Sequence, residues 1–231
     1  MTDWLGPEAW TALRLSLLVS ATATATSLLP GLAVAWLLAR RRFWGHALLD
    51  VVVHLPLILP PVVTGYALLI LFGRRGLVGA FLAEHLGIVL AFRWTGAALA
   101  CAVMGFPLLV RAIRLSIEAV DPKLEVAAGT LGAGPALVFA AVTLPLIAPG
   151  VIAGAILSFA KSMGEFGATI TFVSNIPGET ETLPTAIYTL LQVPGGEAGA
   201  LKLALVSVAV SAAALVGSEW MARGIARRLR A

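Results

Sequence analysis

This chain has little charge, one cysteine and no phosphate-binding loop. Charged residues make up 12% of its 231 positions, about half the share of an ordinary soluble domain. With 59% apolar residues, that scarcity excludes a soluble globular enzyme and a disordered tail. The single Cys101 excludes a disulfide scaffold and, lying in an apolar run, reads as a small packing residue. No Gly-x-x-x-x-Gly-Lys-Ser/Thr segment occurs, so the chain cannot cradle ATP in the P-loop manner. His46, His54 and His85 share no metal-ligand spacing, and no nucleophile–base–acid set is visible, so neither a metal site nor a catalytic residue is expected. Acids rather than a basic stretch precede the first apolar run, so no cleavable signal peptide is expected. An internal repeat, which a self-sufficient secondary transporter would carry, is also missing.

What is present is long apolar runs. Crossing a bilayer takes roughly 20 such residues, and five stretches qualify: 15–39, 51–72, 94–114, 143–163 and 201–222. Helices are the expected form, because lipid offers no partner to an open backbone. The expectation is an all-α, multi-pass membrane protein forming one transmembrane domain over 1–231. Two shorter stretches, 76–91 and 184–193, suit interfacial or re-entrant helices. If the N-terminus is outside and the C-terminus cytoplasmic, Arg40, Arg41, Arg42, Arg111, Arg114, Lys123, Arg223, Arg227, Arg228 and Arg230 lie inside. Arg14, Arg74, Arg75, Arg93 and Lys202 lie outside, and the imbalance favours this orientation. The net charge of +4 therefore reports topology rather than a nucleic-acid partner. Arg40–Arg42 and Arg227, Arg228 and Arg230 read as anchors against anionic lipid.

Hydroxyl residues in the first span (Ser16, Ser20, Thr22, Thr24, Thr26, Ser27) suit close helix packing. Pro56, Pro60 and Pro61 predict a kink in the second, either beside a pathway or as a structural bend. The connection 115–142 is the longest on the cytoplasmic side. Asp121-Pro122 reads as a helix start, Gly132-Ala133-Gly134 as a stop, and Pro135 as a second start. Such a helix–turn–helix suits docking in a partner's groove or resting on lipid headgroups.

Ala127-Ala128, three residues, Gly132, nine residues, then Val142-x-Leu144-Pro145 resembles the cytoplasmic motif of permease subunits of bacterial import ABC transporters. One position departs: the family's glutamate falls at Val126, and the acid here is Glu125, turned about 100° around a helix. A second resemblance, to the molybdate permeases, rests on Ser158–Phe172, on Val173–Pro184 with its Ser174-Asn175-Ile176-Pro177-Gly178-Glu179-Thr180, and on Leu55–Tyr66. It implies a homodimer and two ATPase subunits carrying ATP and Mg, with no cofactor on this chain. It also implies an extracytoplasmic molybdate-binding protein and a location in the bacterial cytoplasmic (inner) membrane. Molybdate, or tungstate of like charge and shape, is the implied cargo; sulfate or thiosulfate import is the alternative, and an intramembrane enzyme a remoter one.

The resemblance implies that Glu125, Ala127, Ala128, Gly132, Leu144 and Pro145 belong to the ATPase-docking region. For the pathway, the expectation is Pro60, Pro61, Gly164, Glu165, Phe166, Gly167 and Thr169. The glycines would allow close helix approach, and Thr169 and Thr171 would offer hydroxyls to an anion. Lys161 and Glu165, four apart, should share one face of the fourth span and pair, as a structural lock or as part of the pathway.

Overall fold

The computed structural model describes residues 6–228, with side chains described for 6–213, 216 and 217. Among the described residues every regular element is helical. α1 (Pro7–Arg40) is followed by α2 (His46–Ile58), α3 (Pro61–Phe72) and α4 (Leu77–Leu86). Next come α5 (Trp94–Glu118), then the short α6 (Pro122–Thr130) and α7 (Pro135–Val138). A π turn, Phe139–Thr143, joins α7 to α8 (Leu144–Met163), and α9 (Gly167–Val173), α10 (Leu183–Leu191) and α11 (Glu197–Arg228) complete the chain.

α5 is the central helix. Ala97, Ala98, Ala100, Cys101 and Met104 bury its first half, and Leu109, Val110, Ile113 and Ile117 its second. α1 and α8 pack along it. The buried stripe of α1 includes Ser16, Ser20, Thr24 and Ser27, small side chains at helical spacing that let two backbones approach. Gly31 of α1 accommodates Leu109, and Gly105 of α5 accommodates Ser158 of α8. Large apolar side chains such as Leu29, Leu48, Val52, Ile58 and Ile70 remain exposed, the pattern of a surface that faces hydrocarbon rather than water.

Contacts between helix ends fix the course of the chain. Arg40, the last residue of α1, donates to the carbonyl of Val120, just beyond α5, so α1 and α5 run parallel. Residues 41–93 must then make one net return between them. α8 runs antiparallel to α5: its far end is tied there by a hydrogen bond from Ser162 Oγ to the Cys101 carbonyl. At that same end Ser16 Oγ accepts from the first N–H of α10 at 2.7 Å. α11 follows α10 and packs back along α8.

Two details correct the expected spans. The second, 51–72, is a pair of helices bent by 116° where Pro60 and Pro61 remove N–H donors. Legs of 13 and 12 residues are each about 20 Å long, too short to cross about 30 Å of hydrocarbon alone. The connection after α5 is shorter than the expected 115–142, because α5 continues to Glu118 and a helical rod of 29 residues starts at Pro135. The rod tolerates Pro145 through the π turn: proline cannot bond the carbonyl four residues back, and Leu144 N–H instead reaches Phe139. The predicted fifth span lies within α11, but the side chains of 218–222, and the Arg227, Arg228 and Arg230 cluster, fall outside the described ones.

Candidate functional site

Two regions hold the residues singled out above, one at each end of α5. At the Arg40 end, Asp121 Oδ1 accepts from Lys123 N–H at 2.9 Å and caps α6. Termination is a Schellman motif: Gly132 has φ +89°, its N–H bonds Gly129, and Ala133 N–H bonds Ala128. None of the residues of α6 is buried. Leu124, Val126, Leu131 and Leu137 stand exposed along this segment, Leu131 at 89%. Leu144 and Pro145 lie in the first turn of α8, at the base of the segment rather than on its tip.

Glu125 points the other way. Its Oε1 accepts from Arg40 Nη2 at 3.1 Å and from Thr143 Oγ1 at 2.7 Å. Arg40 is therefore committed to the protein, which corrects its reading as a lipid anchor. A second basic set nearby, Arg114 with Asp50 at 3.0 Å and Glu118 at 2.8 Å, fastens α2 to α5. Between α1 and residues 121–140 lies a groove of about 890 Å³, lined by Trp36, Val126, Val138 and Phe139 among others.

At the far end of α8 the helix stops at Met163, so Glu165 lies in a break and not on the helix face expected for it. It still pairs with Lys161, and its other oxygen accepts from Ala168 N–H at 3.0 Å, capping α9. Its side chain is 1% exposed and that of Lys161 30%. Pro61 and Gly167 come together here: a Cβ on Gly167 would lie 2.7 Å from that of Pro61. Gly65, which follows the prolines in the Leu55–Tyr66 block, is as tight, since its Cβ would stand 2.5 Å from the Ala168 carbonyl. Gly164, by contrast, would place a Cβ no nearer than 4.0 Å to the Ala160 carbonyl and mediates no close approach. Phe166 meets Tyr188 with ring centres 5.0 Å apart.

The expected anion-binding hydroxyls are corrected by their hydrogen bonds. Thr169 is buried and donates to the carbonyls of Glu165 and Phe166, and Thr171 donates to that of Gly167. A hydroxyl has one proton to give, so neither has a donor left for an anion. Cys101 is a buried packing residue, its S–H directed at the Ser162 carbonyl.

The family described as "Binding-protein-dependent transport system inner membrane component" matches residues 31–231. The molybdenum transport system permease protein ModB of Escherichia coli (strain K12) is 60% identical over 217 residues, covering 94% of each chain. The sulfate transport system permease protein CysT of Salmonella typhimurium (strain LT2) is 40% identical over 186 residues, covering 80% of this chain and 67% of its own. Among solved structures, a bacterial alginate ABC transporter in complex with its alginate-bound periplasmic protein aligns with a TM-score of 0.73 at 16% identity. That alignment covers 93% of this chain and 78% of that one.

Proposed function

The chain belongs to the family of binding-protein-dependent transport system inner membrane components, and from that premise we infer that it is the membrane-spanning subunit of an ATP-driven molybdate importer. The observation that carries the cargo is the 60% identity to a molybdenum permease over 94% of both chains, against 40% to a sulfate permease over less of each. It is a multi-pass inner-membrane protein of a transporter. We assign the Arg40 end to the cytoplasm, since Arg41, Arg42, Arg114 and Lys123 gather there and basic residues are retained inside.

In this reading two copies of the chain enclose the pathway, and an ATPase subunit seats on the exposed apolar side of residues 121–140 of each. Ala127, Ala128 and Gly132 shape that seat, while Leu144 and Pro145 carry its movement into α8. A binding protein delivers the oxyanion at the opposite end. The pathway runs beside the α3–α9 contact, where Pro60, Pro61 and Gly167 bring two helix breaks together. Such breaks are tolerated at membrane depth where protein or a watery cavity receives the freed backbone groups. ATP binding draws the docking segments together and opens the outer gate; hydrolysis resets it.

The test is uptake by proteoliposomes containing this chain, its ATPase and the binding protein. Molybdate should accumulate only with ATP, and a hundredfold excess of sulfate should leave most of it untouched. Sulfate accumulating in preference would overturn the cargo assignment while leaving the transporter class intact.

A further inference from the structure

The docking segment poses a mechanical problem. α6 buries no side chain and is flanked by the Asp121-Pro122 start and the left-handed Gly132. A helix held only by its two chain ends can swivel, and a push on it would be lost as rotation. Among the described residues, one side-chain cross-link ties α6 to the spanning helices, and it is made by Glu125. The same carboxylate oxygen receives Arg40 from the end of α1 and Thr143 from the end of the π turn. Arg40 Nη2 also donates to the Val120 carbonyl. Four segments thus meet at one ion pair: α1, the turn after α5, α6 and the head of α8.

We propose that Arg40, Glu125 and Thr143 form the linkage that converts displacement of the docking helix into movement of α1 and α8. They are positioning residues: none need touch the ATPase or the anion. The one-residue offset of the acid, from 126 to 125, supports this role. A turn of about 100° takes the carboxylate off the exposed side, where Val126 stands at 65% exposure, and onto Arg40. Thr143 is 1% exposed and ends a π turn, a widened segment whose extra residue can be redistributed along a helix and which recurs at functional sites. Holding its hydroxyl on Glu125 makes the π turn respond to α6 rather than to thermal motion.

The proposal rests on the ATPase-docking reading of 121–140, and the experiment separates the two. The whole complex is reconstituted with the parent chain, with Glu125→Gln, with Arg40→Gln, with both, and with Thr143→Val and Thr143→Ser. ATP hydrolysed and molybdate transported are measured together. Each of Glu125→Gln, Arg40→Gln and Thr143→Val should retain the ATPase and hydrolyse ATP, yet move about tenfold less molybdate per ATP, the scale of losing a charge-assisted hydrogen bond. The double variant should be no worse than either single one, and Thr143→Ser should match the parent. Unchanged coupling in Thr143→Val, which leaves the ion pair and hence folding intact, overturns the linkage. So does loss of the ATPase from Glu125→Gln but not from Arg40→Gln, which would place Glu125 on the partner. If the parent chain itself retains no ATPase, the docking reading fails instead.

Discussion

At the scale of single residues, the least expendable groups are those whose partners cannot be replaced by water. Glu165 is buried between Lys161 and the first turn of α9. Removing the cation alone leaves a carboxylate with one N–H donor in a site of low dielectric. Lys161→Met should therefore destabilise the chain by about 2 kcal/mol, below the range for a fully buried pair because the ammonium is partly exposed. Adding Glu165→Gln, which keeps the Ala168 hydrogen bond, should restore most of the loss. Thermal unfolding in detergent tests this, and a double variant as unstable as the sum of the singles would mean that the pair is not coupled. Gly132 behaves oppositely. Open space surrounds it, so Gly132→Val clashes with nothing and pays only for the left-handed backbone, about 1–2 kcal/mol. Its midpoint should fall by only a few degrees, since α6 adds nothing to the core, while ATPase retention should fall severalfold in pull-down.

At the scale of elements, the bent pair α2–α3 is the feature most open to test. With Pro60 and Pro61 replaced by alanine, both donors return and a continuous helix over 46–72 becomes available. Spin labels at residues 47 and 71 should then move from about 20 Å to about 36 Å apart, by the rise of a helix. An unchanged distance would show that packing of Gly65 and Gly167 holds the bend without the prolines. This pair also marks where sequence reasoning stops. Apolar length alone located the long helices, because a bilayer sets that length physically. Two adjacent prolines announced a break, but its angle depends on α9, some 100 residues away, meeting Gly65 backbone to backbone. Likewise the four-residue spacing of Lys161 and Glu165 foretold their contact but not the helix end between them. Arg40 could not be matched with Glu125, because nothing local marks a partner 85 positions distant. The cap at Asp121 and the stop at Gly132 were legible, since both are local backbone chemistry.

At the scale of the whole molecule, the chain divides its surface by neighbour. Leu29, Leu48, Ile58 and Ile70 face outward and suit hydrocarbon, while Leu124, Val126, Leu131 and Leu137 stand beyond the end of α5 at the basic end. The second group is without cover among the described residues, and in the proposed complex the ATPase supplies it. Lys123, at the start of α6, is exposed too, which gives trypsin a basic residue on a helix that no buried side chain defends. In membranes holding this chain alone, brief digestion should cut after Lys123 among the earliest sites, beside the exposed loop residues Arg41 and Arg42, and mass spectrometry can follow the fragment that ends at Lys123. Co-expression with the ATPase should lengthen the survival of the intact chain severalfold, and equal cleavage rates would show that the segment stays bare. The unprotected helix would then serve the cell as a timer: copies that fail to find an ATPase would be the first delivered to its proteases.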